Sequence, residues 1–311
     1  MKYIDLHCDT AGRILYENQE LNRNDFQVDL GKLKKGNCLA QTFAFFIDSE
    51  NTKNVFGEFE LMYNKFKVEI NKNKEYIELV TNINELKIVE AKGKIGAFLS
   101  IEEGAVLGND IKNVKKVYDK GIRIITLTWN YKNKIGSPNY MYRYKDKGLS
   151  DLGIEMVKEM EKVGIIPDAS HLSDGGFYDL IRICKKPFLA THSNSRKVTE
   201  HPRNLTDDMI KLLADKGGVL GINFCSDFLG QNEISSVEDM IFHIKHIKNV
   251  GGIDVISLGS DFDGIKNKVE INDASQFNKL ELALRKERFK EEEIEKIYYK
   301  NALRLFKENL K

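Results

Sequence analysis

The chain has 311 residues, 41% hydrophobic and 31% charged, which suits a globular protein of one large domain or two modest ones. Its 48 Lys and Arg residues against 47 Asp and Glu give a formal net charge of +1, so no global field collects nucleic acid or an anionic membrane, and a small substrate is expected instead. Four scattered cysteines, Cys8, Cys38, Cys184 and Cys225, form no Cys-x-x-Cys pair and read as reduced thiols. Together with the lack of an apolar signal core or a run of roughly 18 apolar residues, they point to a cytoplasmic protein without a membrane anchor.

Along the chain, short apolar runs alternate with longer amphipathic stretches. Strands are predicted at Tyr3–Leu6, Leu39–Phe46, Ile95–Ile101, Ile122–Leu127, Ile165–Pro167, Phe188–Ala190, Val219–Ile222 and Val255–Leu258. Most are rich in Val, Ile, Leu or Phe, the composition of strands buried on both faces. Helices are predicted near 54–74, 110–119, 150–163, 174–183, 206–216, 236–249, 276–287 and 291–309. Ser150 and Thr206 supply short polar side chains for free amide hydrogens at helix starts, and Gly121, Gly164 and Gly217 fall where left-handed cap residues are expected. Eight strand-then-helix units without a phosphate-binding glycine turn after the first strand predict an α/β chain folded as a closed (β/α)8 TIM-type barrel. No repeat or Pro/Gly/Ser-rich linker interrupts it, so one catalytic domain over 1–311 is the simplest reading.

In such barrels the active site collects at the carboxyl ends of the strands. His7 and Asp9 follow the first predicted strand, Glu102 and Glu103 the third, Asp168 and His171 the fifth, His192 the sixth, and Asp261 and Asp263 the eighth. Three of six histidines thus stand at strand ends, while His243 and His246 fall in a helix and His201 in a loop. In His7-Cys-Asp9 the first and third side chains project to one side and can reach one ion. Three imidazoles with Asp9 and Glu102 are too many ligands for one catalytic zinc but suit two zinc ions sharing a carboxylate, the architecture of a metal-dependent hydrolase. Cys8, turned the other way by alternation, reads as packing.

Six ordered blocks spanning nearly the whole chain resemble the membrane (renal) dipeptidase family of zinc metallopeptidases, including its soluble bacterial members. They are Asp5-Leu-His-Cys-Asp-Thr, Ser100-Ile-Glu-Glu-Gly, Asp168-Ala-Ser-His-Leu-Ser, Ala190-Thr-His-Ser-Asn-Ser, Arg203-Asn-Leu-Thr-Asp-Asp and Gly259-Ser-Asp-Phe-Asp-Gly. The resemblance implies that His7 and Asp9 bind one zinc, His171 and His192 the other, and that Glu102 bridges both. It further implies that Arg203 binds the substrate carboxylate and that Asp261 handles the proton. The implied reaction is hydrolysis of a dipeptide with a free C-terminal carboxylate by a metal-bridging hydroxide, with Glu103 and Asp263 in structural roles.

One position departs from the pattern. Where animal members carry a histidine after the fourth strand, this chain has Leu127-Thr-Trp129-Asn130. Trp129 donates one hydrogen bond and carries no imidazolium charge, so oxyanion stabilisation falls to the metals, Trp129 or Asn130, unless the indole is only a pocket wall. The segment 131–148 follows that strand and is expected at the pocket rim. Two other functions stay open: another binuclear metal amidohydrolase acting on a small amide or ester, and a non-catalytic metal- or peptide-binding barrel. The expected partner is a dipeptide, with neither nucleic acid nor membrane, and the resemblance leaves room for a homodimer.

Overall fold

The computed structural model describes residues 1–230 and 232–310. Eight parallel strands form its centre: β1 (Tyr3–Cys8), β2 (Cys38–Phe46), β3 (Ile95–Glu102), β4 (Ile122–Thr126), β5 (Ile166–Asp168), β6 (Leu189–Ser193), β7 (Val219–Ile222) and β8 (Ile256–Leu258). Pairing runs β2–β1–β8–β7–β6–β5–β4–β3, and β3 returns to β2, closing the ring. The predicted (β/α)8 barrel is therefore present. The β2–β3 ladder holds register from Ala40 opposite Gly96 to Phe46 opposite Glu102, which sets Glu102 at the carboxyl rim.

These strands form because their apolar runs are covered on both sides, from within the barrel and by the outer helices. At the opposite rim, Ile4, Leu39, Ile166, Leu189 and Val219, all at or next to the starts of their strands, cluster with Leu305 and Phe306 of the helix Asn301–Asn309. The Phe306 ring lies 4.5 Å from that of Phe98. That helix stoppers the amino end and leaves the carboxyl end for chemistry.

The predicted punctuation is found. Ser150 accepts from the Gly153 amide and Thr206 from the Met209 amide, and Gly121, Gly164 and Gly217 have φ of 93°, 97° and 75°. Element limits shift: β1 runs on to Cys8 and β6 to Ser193, so His7 and His192 lie within their strands. β5 ends at Asp168 rather than Pro167, because its ladder with β4 continues through Thr126 opposite Asp168. The single helix expected over 291–309 is two α-helical pieces joined by a π-helical turn at Lys296–Lys300. The helices Thr10–Tyr16, Leu30–Lys35 and Ile83–Ala91, and a short strand Ile77–Leu79 paired with the first residues of β3, Ile95–Ala97, are additional to the sequence reading.

Candidate active site

Five of the residues singled out from the sequence meet at the carboxyl rim. His7 Nε2 lies 3.4 Å from Asp9 Oδ2 and 3.3 Å from Glu102 Oε2. The other Glu102 oxygen, Oε1, lies 3.1 Å from His171 Nε2 and 3.5 Å from His192 Nε2. One oxygen of the carboxylate thus faces His7 and the other faces His171 and His192. That division follows from β3 standing between neighbours that bring β1 from one side and β5 and β6 from the other.

The donor set fits divalent metal. His7 Nε2 and Asp9 Oδ1 are buried without a hydrogen-bond partner, and the Nε2 atoms of His171 and His192 converge to 3.1 Å. Imidazole nitrogen mixed with carboxylate oxygen suits zinc. The charges ask for a cation as well. Burial, reinforced by Glu102, pushes Asp9 up to about 8. Against the cost of burial, Glu102 and Asp9 hold His7 well above the usual imidazole range. Protons thus do in this cluster what metal would do better. Burial pushes His171 down to about 4 and, with His7 beside it, holds His192 well below its ordinary value, leaving both neutral as ligation requires.

Asp261 closes the set. Its Oδ1 stands 3.9 Å from His7 Nε2, and its Oδ2 accepts from Asn223 Nδ2 at 2.9 Å. Burial, with Glu102 adding to it against His7, pushes it up to about 6. Asp263 instead accepts from Thr10 Oγ1 at 2.6 Å and the Gln27 amide at 2.7 Å, ties within the scaffold. Both residues, and His171, hold left-handed backbone with φ between 63° and 69°, a conformation costing on the order of 1–3 kcal/mol each where the surroundings impose it. Gly264 makes room here, since a Cβ on it would come within 2.1 Å of Asp9 Oδ2 and 2.8 Å of Asp261 Oδ1.

Arg203 lies behind the pocket wall, 4% exposed. Nη2 donates to the His192 carbonyl at 3.0 Å and Nη1 to Ser193 Oγ at 3.4 Å, while Nε has no partner. Its Cζ sits 5.2 Å from the Phe228 ring centre. Among the described residues no carboxylate lies within ion-pair distance of it.

A family model described as membrane dipeptidase, peptidase family M19, matches residues 1–311. The chain belongs to the M19 membrane dipeptidase family. It is a hydrolase, a metallo-dipeptidase. An uncharacterized dipeptidase of Schizosaccharomyces pombe is 30% identical over 332 residues, covering 98% of this chain and 80% of the yeast protein. The crystal structure of dipeptidase AC, an M19 metallopeptidase, shares the fold with a TM-score of 0.93 at 24% identity, covering 100% of this chain and 99% of that one. A metallopeptidase from Rhodobacter sphaeroides, liganded with a phosphinate mimic of the dipeptide L-Ala-D-Ala, gives a TM-score of 0.91 at 23% identity and 99% coverage of both chains. Among the described residues, no helix of this M19 chain is long and apolar enough to cross a membrane.

The M19 site opens into a pocket of about 430 Å³ lined on one side by Phe46, Trp129 and Asn130 and on the other by Cys225 to Phe228 and Gly264 to Asn267. The Trp129 ring packs edge-on against Phe46 at 4.6 Å. Its backbone amide donates at 3.2 Å to Glu103 Oε2. Glu103, buried at φ 111°, also accepts from Ser49, Ala105 and Asn133, so it braces the β4 loop. Asn130 lines the pocket, yet its Oδ1 is engaged with His171 Nδ1 at 3.1 Å. The 131–148 segment, expected at the rim of this pocket, instead supplies Tyr131, Lys132, Tyr140 and Arg143 to a neighbouring cavity of about 380 Å³ that shares Asn130 with it. Sequence reasoning missed the end of β7. Asn223, which orients Asp261, and Cys225 in the pocket wall both follow Ile222, and the strand-end rule applied there would have found them.

Proposed function

We propose that this M19 chain, acting as one catalytic domain, is a zinc-dependent dipeptidase that requires a free carboxylate on the C-terminal residue of its substrate. The observation carrying the substrate reading is Arg203, a guanidinium buried beside His192 without a carboxylate partner. A buried charge left unpaired costs several kcal/mol, and an α-carboxylate docking in bidentate fashion relieves that cost. The dipeptide mimic bound to the Rhodobacter sphaeroides structure supports the same substrate class.

His7 and Asp9 would hold one ion, His171 and His192 the other, with Glu102 shared through its two oxygens. When bound, two zinc ions supply a Lewis acid for the peptide carbonyl and a water of lowered pKa. Asp261, held by Asn223 through Oδ2, has Oδ1 placed to accept a proton from an attacking water and would return it to the leaving amine. Trp129 and Phe46 form an apolar wall that keeps the carbonyl's surroundings dry, and Asn130 steadies His171. Hydrolysis of a panel of L,L and L,D dipeptides before and after chelation, with metal content measured alongside, tests this reading. Two zinc equivalents without turnover would instead favour a binding protein.

A further inference from the structure

The ring nitrogens of a ligating histidine are not equivalent. The one facing away from the metal must carry the hydrogen, and its partner decides whether it does. For His192 that partner is the Thr191 hydroxyl, with Oγ1 2.8 Å from Nδ1. A hydroxyl can donate or accept, so this contact alone leaves the tautomer open.

The third member of the chain closes the question. Asp168, fully buried at the end of β5, accepts at both oxygens. Oδ1 takes the Ser170 amide at 2.9 Å and the Thr191 amide at 2.8 Å. Oδ2 takes Thr126 Oγ1 at 2.7 Å and Thr191 Oγ1 at 2.6 Å. Thr191 has a single hydrogen to give, and a carboxylate oxygen at 2.6 Å is a stronger acceptor than Ser170 Oγ at 3.2 Å. Once that hydrogen points to Asp168, Thr191 can only accept from His192. Nδ1 is therefore the protonated nitrogen and Nε2 is bare. His171 Nδ1, facing Asn130 Oδ1, has the same polarity, so two unprotonated Nε2 atoms confront each other across 3.1 Å.

The geometry assigns Asp168 as a positioning residue that acts through the Thr191 hydroxyl to lock His192 in its Nδ1–H tautomer. This inference rests on the proposal that His192 is a metal ligand. It also makes a prediction about one substitution. In Asp168→Asn, the oxygen must stay where two backbone amides donate, so the new amino group falls at the Oδ2 position and donates to Thr191. Thr191 then turns its hydrogen toward His192 Nδ1, and the imidazole proton moves to Nε2, the face meant for metal.

The test is long-range ¹H–¹⁵N correlation on metal-free, histidine-labelled full chain, with His192 assigned by its loss in His192→Gln, alongside zinc affinity from competition with a chromophoric chelator. The wild type should show Nδ1–H at His192. Asp168→Asn should show Nε2–H, with zinc binding weaker by about 10–100-fold. Thr191→Val should lose the preference and a similar share of affinity, and Thr191→Ser should restore both. Nε2–H in the wild type, or an unchanged tautomer in Asp168→Asn even with weakened zinc, overturns the assignment. Should Asp168→Asn not fold, the wild-type spectrum and the Thr191 pair still decide it. If His192→Gln keeps two zinc equivalents at wild-type affinity, the ligand reading fails, and the tautomer measurement stands separately.

Discussion

Replacing the C-terminal carboxylate of a dipeptide with an amide removes one charge and leaves size and shape almost unchanged, so it isolates what Arg203 contributes. The guanidinium has five N–H groups; Ser193 and the His192 carbonyl occupy two, and Nε–H has no acceptor. With only 4% of the residue exposed, water replaces a missing anion poorly, and burial already lowers the pKa of this arginine although Asp261 and Glu102 oppose the shift. Losing one partner of a desolvated, hydrogen-bonded charge pair costs about 2–5 kcal/mol, a loss of roughly thirtyfold to several thousandfold in kcat/KM. Tripeptides should suffer likewise, because their second peptide bond puts a neutral amide at the same place. Arg203→Lys keeps the charge and loses the fork, so KM for the dipeptide should rise and the gap between acid and amide should narrow. The assay is kcat/KM for one dipeptide and its amide in both proteins. Equal wild-type values would refute the reasoning, since an arginine that reads the carboxylate must discriminate between them.

Glu102→Gln should weaken both metal sites together and His7→Ala chiefly one, because only Glu102 offers an oxygen to each. Equal partial losses in metal analysis of the two variants would contradict the bridge. Asp261→Asn should retain metal and fold while lowering kcat about a hundredfold or more, and an unchanged kcat would place the proton elsewhere. Glu103→Gln must turn its amino group toward a backbone amide, that of Trp129 or that of Ala105, in either orientation and should cost about 1–3 kcal/mol in urea unfolding; a change below about 0.5 kcal/mol would show that Glu103 does not brace the Trp129 loop. His243 accepts from the Ser195 amide at Nδ1 and contacts the Leu229 carbonyl at Nε2, and burial pushes it down to about 4. The unfolded chain, with an ordinary imidazole near 6.5, therefore binds the extra proton first, and up to about 3 kcal/mol of stability should drain away as pH falls from 6.5 to 4. His243→Asn should flatten that slope, and an unaltered slope would sink the assignment.

The barrel was legible because its strands are buried on both faces and so appear as apolar runs such as Val219–Ile222, which need no partner to be recognised. The His, Asp and Glu side chains that meet at the carboxyl rim were legible for a related reason: a strand end is a local feature, and a closed barrel gathers its strand ends on one face. What escaped depends on registry between strands. Nothing in Ala190-Thr-His192 says that Thr191 meets Asp168 across the β5–β6 seam, and Asn130 looks like a substrate contact until His171 is seen beside it. The short helix Thr10–Tyr16 was hidden because its N-cap, Asp9, turns toward His7 and makes no side-chain capping bond. Trp129 was placed correctly at the rim, but its bracing by Glu103 depends on a strained turn at φ 111° that side-chain chemistry does not announce.

The helix Asn301–Asn309 sealing the amino end of the barrel also determines traffic. With that end plugged, dipeptides enter and amino acids leave through one doorway, and if Arg203 holds the carboxylate as proposed, the product bearing it would still satisfy the guanidinium after the bond is cut. That product is the natural competitor of the next substrate, so turnover should slow as it accumulates, and the released amine-side amino acid should inhibit more strongly than its partner.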